Sequence, residues 1–193
     1  MRGRECANRN LVSEHPQNDF YQTPKALTYE LLKTGQLADC KTILECCSGY
    51  GAISNVLKDN GFEVTDRDII KGNDFLKDDY SNQSFDAIVS NPPFDKWNDF
   101  VLRAKRIKCK KIIFIGKLNY FGSHSRTELG IWDGLSDIYV FDRQVAYDRE
   151  FREDGKMYCG SLITGWFVWK NNYKGDIKLH PIDVQKYIVH KSE

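Results

Sequence analysis

The amino-acid sequence predicts an α/β fold, in which helices cover both faces of a mostly parallel sheet that ends in an antiparallel hairpin. Short apolar runs alternate with segments of helical periodicity up to about residue 115, which is typical of parallel strands joined by helical crossovers. Two long apolar runs follow at residues 137–141 and 161–169, with no convincing helix between them. Such a pair favours an antiparallel hairpin at the edge of the sheet.

Three segments carry helix signals. The first begins after Thr23-Pro24, because proline suits the first turn of a helix, and its leucines then recur at helical spacing. The second follows a glycine-rich turn and stops near Asn60-Gly61. The third is predicted over residues 97–106, where the apolar residues share one face.

Four apolar runs before the hairpin are predicted to be strands, at residues 42–45, 62–65, 86–90 and 111–115. The last run is apolar throughout, which is typical of a parallel strand buried on both faces of a sheet. A loop that contains Asp74-Phe75 is predicted between the second and third of these strands.

Length and composition indicate one domain. A chain of 193 residues with 41% hydrophobic content can bury one well-packed core and leaves little room for a second. Residues 1–17 are polar and basic without periodicity, so we expect a flexible N-terminal arm followed by a single domain at residues 18–193. The net charge of +1 excludes a global basic field, and any nucleic-acid surface must therefore be local.

The six cysteines show neither paired CxxC spacing nor a cysteine and histidine cluster, so we expect free thiols and no metal site. The polar N-terminus lacks the apolar core of a signal peptide, and no stretch approaches transmembrane length. We therefore expect no membrane partner and a cytoplasmic location inside the cell. The oligomeric state stays open.

The tetrapeptide Asn91-Pro92-Pro93-Phe94 follows a predicted strand and suits one kind of nucleophile, an sp² amino group. The lone pair of such a nitrogen is delocalised, so an enzyme must localise it. The Asn91 side-chain oxygen and the Pro92 carbonyl can each accept one N–H, which favours the pyramidal nitrogen of the transition state. Consecutive prolines stiffen the loop, and Phe94 offers a flat face on which a planar base or amide can stack. The tetrapeptide indicates a methyltransferase that acts on an amino or amide nitrogen.

By itself, this tetrapeptide is equally typical of a turn that ends a strand. Its position after a buried-strand pattern, and downstream of a glycine-rich strand-to-helix turn, favours the catalytic interpretation.

The glycine-rich turn at residues 45–51 reads Glu-Cys-Cys-Ser-Gly-Tyr-Gly. Gly49 and Gly51 allow a close backbone approach where a strand turns into a helix. Ser54 stands where a dinucleotide fingerprint would have its third glycine, and the turn contains an acid instead of an open approach for pyrophosphate. An adenosine cofactor without phosphates therefore fits better than a dinucleotide.

Acidic residues suit the two polar ends of such a cofactor. Glu45 can meet the positively charged methionine end of S-adenosylmethionine, and Asp68 can hold the ribose hydroxyls, with Asp66 as the second choice. Asp74 can accept a hydrogen bond from the adenine amino group while Phe75 packs on the ring. An equally good interpretation of that dipeptide alone is a turn cap followed by a core residue.

On these motifs the chain resembles the class I S-adenosylmethionine-dependent methyltransferases, and among them the small phage-type DNA N6-adenine methyltransferases. The resemblance covers roughly residues 19–169, and it implies a Rossmann-like fold with a seven-stranded sheet whose last two strands form the antiparallel edge. It also implies that the segment at residues 19–24 packs over the methionine part of the cofactor. The cofactor-binding residues that it implies are Tyr21, Gln22, Thr23, Pro24, Glu45, Cys46, Gly49, Gly51, Asp68, Asp74 and Phe75, and the catalytic residues are Asn91, Pro92, Pro93 and Phe94.

A DNA substrate requires that the adenine be flipped out of the duplex or presented in a single strand. The candidate contacts to its backbone are Lys117, Arg126, Arg149 and Arg152, although each of these alone is more typical of a solvated surface charge. Only residues 122–160 remain for target recognition, where sequence-specific enzymes of this kind often have a sizeable domain.

Two other classes of function share these features. Enzymes that methylate adenine in structured RNA, or the amide of a protein glutamine, act on the same planar NH₂ group. A methyltransferase-like fold kept as a binding or packaging protein is the non-enzymatic alternative, which the presence of Asn91, Pro92 and both glycines disfavours. The prediction is methyl transfer to the N6 of adenine, most of all in DNA, with RNA as the second nucleic-acid partner.

Overall fold

A computed structural model describes residues 22–144 and 162–184. The predicted N-terminal arm lies outside these residues, as do Tyr21, Arg149 and Arg152. The helices are α1 (Lys25–Lys33), α2 (Ala52–Asp59), α3 (Trp97–Ala104) and the short α4 (His124–Glu128). The strands are β1 (Thr42–Glu45), β2 (Glu63–Asp66), β3 (Ser84–Ser90), β4 (Lys108–Lys117), β5 (Leu135–Phe141), β6 (Thr164–Lys170) and β7 (Lys178–Ile182).

The seven strands form one mixed sheet in the order β2-β1-β3-β4-β6-β5-β7. The first four strands in this order are parallel to one another, and β6 is antiparallel to both of its neighbours, β4 and β5. The predicted α/β fold with a mostly parallel sheet and an antiparallel strand pair is confirmed. The edge beyond this pair is occupied by β7, which is parallel to β5 and which the apolar pattern did not predict.

Helices lie on both faces of the sheet because the strands bury alternate residues on opposite sides. On one face, leucines of α1 and α2 pack with Ile113 and Ile115 of β4. On the other face, Trp97, Phe100 and Val101 of α3 pack with residues of β4 and β6. Along the described part of the chain, no helix reaches the length and apolar character needed to span a membrane.

The centre of the sheet depends on a pair of glycines. Gly116 of β4 lies opposite Gly165 of β6, and a Cβ atom on Gly165 would overlap the carbonyl oxygen of Tyr139 in β5 and lie 3.1 Å from the Cα of Val140. The colliding atoms belong to the backbone of a paired strand, so they cannot rotate away. A side chain at this position therefore requires the neighbouring strand to move.

We expect Gly165→Ala to lower the free energy of unfolding by about 3 kcal/mol, towards the upper end of the usual cost of overpacking. Chemical denaturation monitored by circular dichroism measures this change. Gly122→Ala is the matched control, because nothing lies within 4 Å of a Cβ at that position. Equal unfolding midpoints for the two variants would show that the close approach at Gly165 is not a constraint.

Candidate functional site

A cavity of about 440 Å³ opens at the carboxyl ends of β1 and β3. This volume lies within the range of about 300–1,000 Å³ that is usual for small-molecule and cofactor sites. The carboxyl ends of parallel strands are also where open α/β sheets bind ligands. Residues predicted from the sequence that line the cavity are Gln22, Thr23, Glu45, Cys46, Gly49, Asp68, Asp74, Phe75, Asn91, Pro92, Pro93 and Phe94.

Hydrogen bonds donated by backbone N–H groups hold the glycine-rich turn in shape. The Gly49 N–H donates to Asp68 Oδ2 at 2.7 Å, and the Gly51 N–H donates to the Ser48 carbonyl at 2.7 Å. Gly51 precedes α2 with φ of 89°, a left-handed conformation that residues with a Cβ rarely adopt. Gly51 does not line the cavity itself, so its contribution is to the shape of the turn.

Glu45 is the last residue of β1 and is almost completely buried, with 1% of its surface exposed. The hydroxyl of Ser54, which lies in α2, donates a hydrogen bond to Glu45 Oε2. Burial raises the pKa of Glu45 to about 8, and the Ser54 hydrogen bond opposes this rise only in part. In the absence of a cationic partner, Glu45 is therefore mostly protonated at pH 7.

Asp68 connects the glycine-rich turn to the segment that follows β2. Its Oδ2 accepts from the Gly49 N–H and its Oδ1 accepts from the Ile70 N–H at 3.0 Å. A carboxylate has about four acceptor positions, so two backbone donors leave capacity for further hydroxyl groups. Asp66, the second choice for a ribose contact, forms ion pairs with Lys58 and Lys71 and is not part of the cavity lining.

Asp74 and Phe75 form a capped turn, and both residues also line the cavity. Asp74 Oδ1 accepts from the Leu76 N–H at 3.1 Å, and the ion pair with Lys77 lowers the pKa of Asp74. Phe75 is buried and stacks on Phe100 with ring centroids 5.2 Å apart. Both interpretations of the dipeptide therefore fit this arrangement.

The segment after β3 has an unusual polar group. The Asn91 Nδ2 donates to the Thr23 hydroxyl oxygen at 3.1 Å. The Asn91 Oδ1 is buried and accepts no hydrogen bond from any residue in the ranges 22–144 and 162–184. A buried polar atom without a partner costs about 1–3 kcal/mol, so such an atom requires an explanation, and a bound donor group is one.

Phe94 lies between the cavity and a basic residue of β4. The Lys117 ammonium group is 4.6 Å from the centre of the Phe94 ring, and the Tyr120 hydroxyl donates to the Phe94 carbonyl at 3.1 Å. Arg126, another candidate for contact with a nucleic-acid backbone, donates to Asn98 Oδ1 at 2.8 Å and lies over the Tyr120 ring. Lys117 therefore adjoins Phe94, whereas Arg126 packs on Tyr120, whose hydroxyl contacts the Phe94 carbonyl.

Other lining residues were not predicted from the sequence. Ser54 does not itself line the cavity, but its hydroxyl contacts the buried Glu45, and the sequence identified it only as the replacement of a glycine. The hydrophobic lining residues Ile69 and Ile70 could not be identified from the sequence, because an apolar residue after a strand is usually interpreted as part of the core. The unpredicted lining residues include Ser48, Tyr50, Ile69, Ile70, Asn73 and Lys96, and Pro24 was predicted but does not line the cavity.

The described residues contain no group of three or more histidine, cysteine, aspartate or glutamate side chains arranged to hold a metal ion. Cys46 and Cys47 line the cavity, and burial raises the pKa of Cys47 well above its ordinary value. Its thiol is therefore protonated at neutral pH and is a poor metal ligand or nucleophile.

The mostly parallel sheet with helices on both faces is a Rossmann-like α/β fold, and the cavity lies at the carboxyl ends of its parallel strands. The sequence matches no protein-family model and no curated protein sequence.

Solved structures share this fold at low sequence identity. A protein described as a modification subunit of a type I restriction enzyme from Vibrio vulnificus YJ016 is 9% identical, with a TM-score of 0.58 over 86% of this chain. The aligned region is 47% of that subunit, so this chain spans about half of its length. A protein described as a hemolysin from Lactococcus lactis is 10% identical, with a TM-score of 0.54 over 82% of this chain and 91% of that one.

Proposed function

We propose that this protein is an S-adenosylmethionine-dependent methyltransferase that transfers a methyl group to the N6 of adenine, with DNA as the favoured substrate. The observation that carries the proposal is the buried, unpartnered acceptor Asn91 Oδ1, as seen among the described residues, in the wall of a cofactor-sized cavity. An exocyclic amino group has N–H donors to satisfy such an atom. A hydroxyl or thiol nucleophile would need a base, which Asn91 cannot provide.

The cavity suits an adenosine cofactor with a cationic end. Asp68 is an acid in the cavity wall that can bind ribose hydroxyls, and Glu45 can bind an ammonium group once it is ionised. Phe75 offers an apolar contact for adenine. When bound there, S-adenosylmethionine supplies an electrophilic methyl group. Gln22 and Thr23 also line the cavity and would contact the methionine end.

The chain itself contributes positioning and electrostatics. Asn91 Oδ1 and the Pro92 carbonyl accept the two N–H groups of the target amine, which holds the nitrogen lone pair towards the methyl carbon. Phe94 packs against the face of the base, and the adjacent Lys117 places a positive charge near the substrate backbone. Neither acceptor is basic, so the proton that the nitrogen loses after methylation passes to solvent.

Methyl transfer to different acceptors tests the proposal. Labelled S-adenosylmethionine would be incubated with unmethylated duplex DNA, single-stranded DNA, ribosomal RNA and protein extract, and the modified nucleosides or amino acids identified. We expect N6-methyladenine in DNA. Label in RNA alone or in glutamine alone would show that the acceptor is RNA or protein, with the same mechanism of methyl transfer. Cofactor binding without transfer to any pool would instead support a binding protein with this fold.

Glu45 gives the proposal a pH-dependent signature. Cofactor binding at pH 7 is expected to release close to one proton, because Glu45 has a pKa of about 8 in the free protein and must ionise to meet the cationic end. Titration calorimetry in buffers of different ionisation enthalpy measures this release. Glu45→Gln should release no proton, and an unchanged release in that variant would assign the proton to another group.

The same group affects the stability of the protein without cofactor. Its folded-state pKa lies above the ordinary value of 4.5, so the unfolded chain ionises first and stability falls as the pH rises from about 4.5 to about 8. Glu45→Gln removes this slope, and melting temperatures at pH 5.5 and pH 8 should differ less in the variant than in the wild type.

A further inference from the structure

We propose that Thr23 is a positioning residue that orients the amide of Asn91, rather than mainly a cofactor contact. This inference rests on the proposed function and adds a residue 68 positions away in the chain to the catalytic arrangement. The Thr23 hydroxyl oxygen accepts the Asn91 Nδ2–H at 3.1 Å, and Thr23 itself is buried, with 5% of its surface exposed.

The orientation matters because the two ends of an asparagine amide are chemically opposite. Oδ1 accepts hydrogen bonds, whereas Nδ2 only donates them. An amide rotated by 180° would present N–H groups to the N–H groups of the target amine. With Nδ2 held by Thr23, Oδ1 is the atom left to receive the substrate.

Thr23 has a fixed position because the helix after it, α1, is hydrogen-bonded to the sheet. The Trp166 indole N–H of β6 donates to the Leu27 carbonyl of α1 at 2.9 Å, and Leu27 is fully buried. The Leu27 N–H in turn donates to the Pro24 carbonyl at 3.0 Å. Thr23 is therefore connected to the sheet through the helix that follows it.

The Asn91 side of the contact is held as well. The Ser90 hydroxyl oxygen accepts the Cys47 N–H at 3.1 Å, which joins the end of β3 to the glycine-rich turn. Pro92 is buried and has its φ restricted by its ring. Since both ends of the contact are supported, the hydrogen bond fixes the position of the Asn91 side chain at little entropic cost, with Nδ2 on the side of Thr23.

Thr23→Val tests the inference, because valine keeps the shape of threonine and removes the hydroxyl. We expect turnover to fall about tenfold or more, as small losses of alignment commonly do, while the dissociation constant of the cofactor stays within about threefold. Thr23→Ser should restore turnover. Thr28→Val is the matched control, because Thr28 is a buried threonine of α1 whose hydroxyl has no hydrogen-bond partner within the described chain.

A double-mutant cycle separates positioning from a general structural role. If Thr23 acts through Asn91, adding Thr23→Val to Asn91→Ala should cause no further loss of turnover, whereas independent roles would give multiplied losses. Thr23→Val that weakens cofactor binding with unchanged turnover would also overturn the inference, since Thr23 would then be a cofactor contact.

The contact can be tested without any reaction. In ¹⁵N-labelled protein, the Asn91 side-chain NH₂ signals, assigned by their loss in Asn91→Ala, should exchange slowly with water in the wild type and in Thr23→Ser. They should exchange rapidly in Thr23→Val. Equal exchange in all three would refute the orienting contact. A wild-type protein that transfers no methyl group, yet shows these signals as expected, would contradict the proposed function and leave the contact in place.

Discussion

Replacing Asn91 with alanine is expected to lower methyl-transfer turnover by about 10²–10³-fold, the usual effect of removing one preorganised hydrogen-bonding group that acts on the transition state. The cofactor dissociation constant should change less than about threefold, because the Asn91 side chain is proposed to contact the acceptor amine. Steady-state kinetics and calorimetry measure the two quantities. The physical reason for the split is that the Asn91 Oδ1 hydrogen bond strengthens as the nitrogen becomes pyramidal.

Two further variants make the result specific. Asn91→Asp keeps an acceptor oxygen and should retain more turnover than Asn91→Ala. Asn171→Ala changes an exposed asparagine at the opposite end of the sheet, where its backbone N–H contacts the Lys110 carbonyl, and should match the wild type. Parallel losses of turnover and cofactor affinity in Asn91→Ala would assign this residue to cofactor binding instead.

Trp97→Ala is expected to have the largest effect on stability, lowering the free energy of unfolding by about 3–5 kcal/mol. Trp97 begins α3, shortly after Phe94 in the chain, and 1% of its surface is exposed. Its indole N–H donates to the Ile115 carbonyl at 2.8 Å, and its ring packs against Tyr120 with centroids 4.7 Å apart. The loss is a large part of the roughly 5–15 kcal/mol that stabilises a typical domain.

Denaturant unfolding measures this loss, with Trp132→Ala as a control. Trp132 is only half-buried, and it stacks on the exposed Phe121 with centroids 4.3 Å apart, so its removal leaves a smaller cavity. Trp97→Phe should fall between the wild type and Trp97→Ala, because phenylalanine fills most of the space and lacks the indole N–H. A Trp97→Ala variant as stable as Trp132→Ala would show that the neighbouring rings repack.

The parallel part of the sheet was predictable because its buried strands have recognisable apolar sequences. The central parts of strands β3 and β4 are buried on both faces, so their sequences are apolar runs. In α2 the buried apolar residues recur at helical spacing on one face. Glu45, Asp68 and Asn91 line one cavity because each ends or follows one of three neighbouring parallel strands, whose carboxyl ends lie at the same edge of the sheet.

Strand β7 was not predictable from the pattern. It lies at the sheet edge, contains Pro181, and exposes 63% of Leu179 while burying Ile182. An edge strand has one partner and tolerates proline, so its sequence lacks the continuous apolar run of a central strand. Its pairing with β5 depends on tertiary contacts, among them the hydrogen bond between His180 and Asp137 at 3.0 Å.

The sequence by itself predicted strands β1–β4, helices α1–α3, the glycine-rich turn and the amide and carbonyl acceptors of the segment Asn91-Pro92-Pro93-Phe94, because periodicity and side-chain type are local properties. Only the tertiary structure decided that Thr23 holds the Asn91 amide, that Lys117 lies over Phe94 and that burial keeps Glu45 protonated. These depend on distances between segments far apart in the chain and on exclusion from water. Neither quantity is encoded in any short stretch of residues.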